Sequence, residues 1–145
     1  MGPGFEPQRA HQVTLRQSRA RIDTMDGLFD EFNVEVRAFA EERDWRQFHT
    51  PRSLILALVG EVGELAEVLQ WIPDAQSQDF LRDESNKKRF SDELADVLIY
   101  LTRLADEAGV DLIAAARQKI RENSSKYPIE KAYGNAKKYT QLGND

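Results

Sequence analysis

Apolar residues recur at steps of three and four positions through most of the chain beyond about residue 26, the spacing that places them on one face of an α-helix. In the first such segment the stripe consists of Leu28, Phe29, Phe32, Val36 and Phe39. The pattern predicts four helices, at about 26–43, 51–71, 84–108 and 111–126. No useful length of sequence has the period of a strand. The chain is therefore predicted to be all-α and, because the connections are short, a four-helix bundle.

The predicted helix ends carry residues typical of helix boundaries. Thr50 followed by Pro51 indicates an N-cap with proline at the first helical position. Pro73 stops the second helix, because proline cannot continue a helix without losing a backbone hydrogen bond. Gly109 suits the C-cap of the third helix, and Asp111 can cap the fourth. Residues 73–83 are predicted to form a polar connection rich in Asp, Gln and Ser.

Three regions of the chain differ in composition. Residues 1–22 combine glycine, proline and arginine with few apolar residues, which predicts a flexible basic arm. Residues 23–128 contain the predicted helices and form one domain, and residues 129–145 are predicted to be an irregular tail. The chain shows no internal repeat.

Composition excludes several classes of function. The formal net charge of -5 argues against nucleic acid as the main partner, because duplex binding needs a clustered basic surface. With no cysteine and only two histidines, the chain cannot form a thiolate site or a histidine-rich zinc or di-iron site. The longest apolar run, 54–59, is too short to span a membrane, and no signal-peptide core begins the chain. A cytoplasmic location without a membrane partner is predicted.

The second predicted helix carries glutamates where its apolar stripe should be uninterrupted. Glu61 falls inside the apolar arc of a helical wheel, Glu64 lies at the border of that arc, and Glu67 lies further towards solvent. A carboxylate buried without a partner costs several kcal/mol or becomes protonated. A salt bridge would be the ordinary compensation, but no Lys or Arg occurs in the range 54–81.

A second acidic pair, Glu93 and Asp96, has the same three-residue spacing on the third helix, so both side chains leave one face. If the two helices face each other, four carboxylates converge. The repulsion between these carboxylates is relieved by a hard cation such as Mg²⁺ or Mn²⁺, which prefers oxygen ligands. The competing interpretation is that these are ordinary solvated acidic faces.

Three side chains on the fourth helix, Lys119, Asn123 and Lys126, share one face and can hold phosphate oxygens. Lysines near a helix C-terminus are also favourable for structural reasons alone. Four ring-bearing residues lie at element ends or one to two turns from the acidic pairs and can enclose a nucleobase: Trp45, His49, Trp71 and Tyr100.

The segments 51–54 and 57–67, with the two acidic pairs at 61/64 and 93/96, resemble the MazG-like all-α nucleotide pyrophosphohydrolases, most closely their dCTP pyrophosphatases. The resemblance extends over roughly residues 28–142 and includes the segments 41–45, 96–100, 126–128 and 138–140. It implies that residues 23–128 are a MazG-like catalytic domain. It further implies a homotetramer, built as a dimer of dimers, with sites lined by more than one subunit.

The activity that the resemblance implies is Mg²⁺-dependent hydrolysis of a (deoxy)nucleoside triphosphate to the monophosphate and pyrophosphate. The implied metal ligands are Glu61, Glu64, Glu93 and Asp96. Glu67, or a ligand carboxylate such as Glu64, would orient the attacking water or accept its proton.

Two alternatives stay open. The substrate can be dCTP or a modified or non-canonical nucleotide, and Val36 occupies the position at which the resembling dCTP enzymes have a histidine near the base. The second alternative is a non-catalytic helical oligomer, an antitoxin-like module whose acidic faces bind a partner.

Overall fold

The computed structural model describes residues 27–142, and every structural statement below concerns that range. Helix α1 is described from residue 27 to residue 41. The next elements are a 3₁₀ helix, Trp45–Phe48, and the helices α2, Pro51–Leu69, α3, Asp74–Phe80, and α4, Glu84–Glu107. They are followed by α5, Leu112–Lys126, α6, Ile129–Ala132, and a second 3₁₀ helix, Tyr139–Gln141. No strand occurs among these residues, so the all-α prediction is confirmed for the described part of the chain.

The predicted capping residues do begin helices. The Thr50 hydroxyl accepts a hydrogen bond from the Ser53 backbone N–H at 3.2 Å, and Pro51 is the first residue of α2. The Asp111 carboxylate accepts from the Ala114 N–H at 2.8 Å at the start of α5. Each bond satisfies one of the backbone donors that a helix N-terminus leaves without an intrahelical partner.

Left-handed backbone conformations at Gly109 and Asp44 turn the chain between consecutive helices. Gly109, with φ of +64°, follows the last turn of α4, as predicted. Asp44, with φ of 53°, turns the chain from α1 into the 3₁₀ helix that begins at Trp45. The Asp44 carboxylate accepts a hydrogen bond from the Gln47 side chain at 2.7 Å, which holds this turn.

The prediction that residues 73–83 form only a polar connection was wrong, because they contain α3, a helix too short and too polar to show a repeated apolar stripe. Helices α1 and α2 end at residues 41 and 69, each two residues before the ends predicted near 43 and 71. Short helical turns also occur within 129–142. The predicted basic arm, residues 1–22, lies outside the described residues, and the domain division stays a prediction.

Helices α2 and α4 form the main packing interface between helices that lie wholly within the described range. They run antiparallel, because His49, before α2, contacts Arg103 near the end of α4, whereas Glu61 and Glu64 lie beside Glu93 nearer its start. Few apolar side chains of the described chain are buried: Val36, Ala40, Leu54, Val68 and Ala105. A closed four-helix bundle and its oligomerisation stay predictions. None of the described helices combines the length and apolarity needed to cross a bilayer.

Candidate metal and nucleotide site

The α2–α4 interface brings carboxylates from both predicted acidic pairs together. Glu61 and Glu64 on α2 and Glu93 on α4 each offer one carboxylate oxygen, and these three atoms lie within 4.8 Å of one another. The three-residue spacing on α2 places both glutamates on the side that faces α4. We call Glu61, Glu64 and Glu93 the carboxylate cluster.

The cluster contains like charges without a cationic partner. Burial raises the pKa of Glu61 above its ordinary value, and the negative charges of Asp96, Glu64 and Glu93 raise it further. Among the described residues, no Lys or Arg forms an ion pair with any of these four carboxylates. Asp96 lies close enough for its charge to act on Glu61, although Asp96 is not one of the three residues whose carboxylate oxygens lie within 4.8 Å of one another.

The donor set fits a hard divalent cation. All available ligand atoms are carboxylate oxygens, and Mg²⁺ and Mn²⁺ prefer such ligands over nitrogen or sulfur. A cation at this point would also relieve the repulsion that raises the pKa of Glu61. Glu67 is exposed and lies outside the cluster.

A cavity of about 220 Å³ lies between α4, α1 and the first 3₁₀ helix, and one of its lining residues, Asp96, acts by its charge on Glu61 of the cluster. It has a mainly apolar wall formed by Val36, Phe39, Ala40 and Ile99 together with the rings of Trp45, His49 and Tyr100. Trp45 is held edge-on against Phe39, with ring centroids 5.7 Å apart. Asp96 and Arg103 complete the lining. Three of the four ring-bearing residues predicted to bind a base thus meet at one place.

The remaining predicted binding residues do not line this cavity. Trp71 follows the end of α2 and is 85% exposed. On α5, Lys119 pairs with Glu122 at 3.7 Å and Asn123 is exposed. Lys126 lies over the ring of Tyr139, 5.6 Å from its centroid. Within one chain these four side chains do not reach the cavity, and their role in binding stays a prediction.

Arg103 is a cavity residue that the sequence analysis missed. It is only 3% exposed and forms ion pairs with Asp106 and Glu107 on the same helix. A signal was present in the sequence, because Arg103 lies one turn after Tyr100 and two turns after Asp96, on the same face of α4. Asp106 and Glu107, three and four residues further on, could equally have indicated an ordinary ion pair on the helix surface.

His49 contacts this arginine. The Arg103 Nε–H donates a hydrogen bond to His49 Nδ1 at 3.1 Å. Burial lowers the pKa of His49 below its ordinary value, and the nearby charge of Arg103 lowers it further, whereas Glu107 opposes the shift. This shift favours the neutral form of His49.

These features define a class of protein: all-α, with a carboxylate cluster between two antiparallel helices and an aromatic cavity beside it. The family model described as MazG-like matches residues 57–142, more than half of the chain. The chain belongs to the MazG-like family, which confirms the resemblance inferred from its motifs.

Curated relatives share about half of the aligned residues. The dCTP pyrophosphatase 1 of Rattus norvegicus is 50% identical over 104 residues, which cover 72% of this chain and 61% of that protein. The Homo sapiens protein of the same name is 48% identical over 104 residues, with the same shares of both chains. The chain thus spans 61% of the length of these relatives.

A solved structure shares the fold. A pyrophosphatase from Archaeoglobus fulgidus DSM 4304 matches with a TM-score of 0.64 and 36% sequence identity. The match covers 68% of this chain and 91% of that one.

Proposed function

We propose that this chain hydrolyses a (deoxy)nucleoside triphosphate to the monophosphate and pyrophosphate, with Mg²⁺ held by Glu61, Glu64, Glu93 and Asp96. Relatives named dCTP pyrophosphatase 1, which are about half identical to it, support this activity. Mn²⁺ is an alternative cation, because it prefers the same oxygen ligands.

The observation that carries the proposal is the position of Asp96 between two chemically different regions. Its charge acts on Glu61 of the carboxylate cluster, and its side chain also lines the aromatic cavity. A nucleotide has a matching division into an apolar ring and a polyanionic tail. The cavity of about 220 Å³ is smaller than the roughly 300–1,000 Å³ of pockets for drug-sized ligands, so it suits one base.

Each group of residues then has a distinct task. Trp45 and Tyr100 offer flat faces to the base, and His49 offers a polar edge. The carboxylates would hold the cation, which when bound offsets negative charge on the phosphate oxygens. Glu67 is exposed beside the cluster, and we propose that it or Glu64 orients the attacking water and accepts its proton.

We further propose that the active form is a homo-oligomer, a tetramer by resemblance to the family. Support comes from the outer side of α2, where Ile55, Leu56, Val59 and Val62 are all about half exposed or more. A Cβ built at the neighbouring Gly60 would meet nothing within 4 Å, so this side is open within one chain. Exposed apolar surface of this extent is typical of an interaction face.

A second subunit would also explain the predicted contacts that lie away from the cavity. Trp71 is the most exposed tryptophan, and Lys119 and Asn123 lie on an exposed side of α5. We propose that these residues and Lys126 complete the site of a neighbouring subunit, where they would contact the base and the phosphates.

Oligomerisation is tested by replacing Val59, which is 64% exposed, with glutamate. The substitution costs little in a monomer, but it places a charge in a subunit interface. We expect the variant to elute as a smaller species in size-exclusion chromatography with light scattering, and to lose activity. A wild-type protein that is monomeric at micromolar concentration would contradict the proposal.

The activity is tested with a panel of canonical and modified deoxynucleoside triphosphates, with and without Mg²⁺, by measuring pyrophosphate release. We expect Mg²⁺-dependent conversion to the monophosphate. We propose that the substrate is dCTP or a modified nucleotide. Val36 offers no hydrogen bond on its side of the cavity and so does not select between them, and the ranking of the panel names the substrate. Absence of turnover on every nucleotide would leave the non-catalytic interaction module as the better interpretation.

A further inference from the structure

His49 has one ring nitrogen already occupied, and this limits what it can offer to a ligand. We propose that Arg103 is a positioning residue that fixes the Nε2-protonated tautomer of His49, so that His49 serves the cavity as a hydrogen-bond donor to an acceptor atom of the bound base. The inference rests on the proposed function for the identity of the ligand, but the state of His49 is a property of the free protein.

The tautomer follows from the direction of one hydrogen bond. A guanidinium group has only donors and is not deprotonated in proteins. Because the Arg103 Nε–H lies 3.1 Å from His49 Nδ1, that nitrogen must be the acceptor and cannot itself carry a proton. A neutral imidazole with a bare Nδ1 carries its proton on Nε2. The nitrogen that is left for a ligand is therefore a donor.

Arg103 is itself held in place by carboxylates. It is 3% exposed and forms ion pairs through separate guanidinium nitrogens, Nη1 with Asp106 and Nη2 with Glu107. Asp106 is held in turn by Arg37 of α1. The planar guanidinium thus presents its two terminal nitrogens to carboxylates and its Nε–H to the histidine, an arrangement that a lysine cannot reproduce.

A fixed hydrogen-bond donor in an apolar cavity determines which edge of the bound base can face His49. Val36, Phe39, Ala40 and Ile99 offer no hydrogen-bonding side chains, so a polar base edge that meets the wrong group there is left unpaired. A base that presents a ring carbonyl or an unprotonated ring nitrogen to His49 is satisfied, whereas one that presents an amino group meets a second donor. The inferred ligand is therefore a base oriented with an acceptor atom towards His49.

The tautomer can be read directly by nuclear magnetic resonance of histidine-labelled protein without nucleotide. The chain has only two histidines, and a His49→Gln variant identifies the signals of the other, His11. We expect the Nε2–H form alone for His49 in the wild type at neutral pH. A His49 signal from the Nδ1–H form, from a mixture of tautomers or from the imidazolium would overturn the proposal, whether or not the protein hydrolyses any nucleotide.

Kinetics of Arg103 variants test whether positioning matters for binding. Arg103→Met removes the contact and the charge, whereas Arg103→Lys keeps the charge for Asp106 and Glu107. Loss of one neutral hydrogen bond is expected to raise KM by roughly 3- to 10-fold with little change in kcat. Lysine should restore much of the thermal stability but neither KM nor the single tautomer.

The matched control is Arg82→Met, which removes an exposed arginine that pairs with Asp79 and has no part in the ion pairs around Arg103. It should leave the His49 tautomer and KM unchanged. If the methionine variant does not fold, the lysine variant and the wild-type tautomer still decide the question. A wild-type KM and an unchanged tautomer in Arg103→Lys would show that only the charge of this residue matters, and would overturn the positioning role.

Discussion

Two clusters of charged side chains lie along the same helix, and they are built in opposite ways. The carboxylate cluster around Glu93 gathers like charges that no basic residue of the described chain neutralises. The second cluster, ten residues further along α4 and so roughly 15 Å away, surrounds Arg103. There each charge has a partner of opposite sign, with Asp106 shared between Arg103 and Arg37. We call this second group the arginine cluster.

The difference is the one expected between the proposed cation site and a structural support. Like charges at close range oppose folding, so the carboxylate cluster lowers the stability of the protein until a cation joins it. The arginine cluster is complete within one chain and supports the position of His49. We therefore expect the first cluster to respond to added cation and the second to respond to loss of its own members.

The largest effect is expected for Glu64→Gln in the carboxylate cluster. A cation contributes several kcal/mol of charge stabilisation to such a reaction, and each 1.4 kcal/mol is tenfold in rate. We expect turnover to fall by about 100-fold or more, measured as pyrophosphate release. The rise in melting temperature that Mg²⁺ produces in the wild type should also shrink or vanish.

The matched control for this prediction is Glu35→Gln, on an exposed position of α1 away from the cluster. It should keep both activity and the response to Mg²⁺. Equal activity in Glu64→Gln and the wild type would mean that the cluster does not serve the reaction.

Next in size is the effect of Arg103→Met on stability. Asp106 and Glu107 are only 15% and 23% exposed at their side chains, and both would lose a cationic partner. Breaking a buried pair costs about 3–5 kcal/mol, and partial exposure reduces this to about 2–3 kcal/mol in the free energy of unfolding. Denaturant unfolding without Mg²⁺ measures it, with Arg37→Met as the milder comparison. A loss below about 0.5 kcal/mol would contradict the assigned supporting role.

The two clusters also differ in how far the sequence alone revealed them. The carboxylates were predictable because two acidic pairs with helical spacing occur in stretches without basic residues. Three of the four carboxylates meet as expected. The arginine cluster depends on contacts between α1, α4 and the turn before α2, such as His49 with Arg103. No periodicity within one helix reports such long-range contacts.

The same reasoning explains which parts of the fold could be predicted. Four helices were found from apolar stripes and capping residues, and the Thr50 and Asp111 caps form as expected. Helix α3 was missed because seven polar-rich residues give no period to detect. The roles predicted for Lys119 and Trp71 stay predictions, because neither side chain lines the cavity within the described chain.

A smaller effect is expected when pH changes the charge of His49. Its folded-state pKa lies below the ordinary value of 6.5, so the unfolded chain binds more protons in the interval between the two. The free energy of unfolding should therefore rise with pH across that interval. The stability that neutral His49 contributes is lost as pH falls from 6.5 towards the folded-state pKa. Comparing chemical unfolding of the wild type and His49→Gln over pH 5–8 isolates this contribution. Identical pH profiles for the two proteins would contradict it.

The smallest effect is expected to have the opposite sign to that of Arg103→Met. Removing a charge from the carboxylate cluster should stabilise the protein, whereas removing one from the arginine cluster should destabilise it. Glu61 is half-buried and repelled by Asp96, Glu64 and Glu93, so Glu61→Gln removes repulsion that nothing in the described chain offsets. Without Mg²⁺, we expect a gain of up to about 1 kcal/mol, or a few degrees in melting temperature. With saturating Mg²⁺ the order should reverse, because the wild type gains a bound cation and the variant does not. A variant less stable than the wild type in the absence of cations would show that Glu61 is held by favourable contacts, and that the carboxylate cluster resembles the arginine cluster after all.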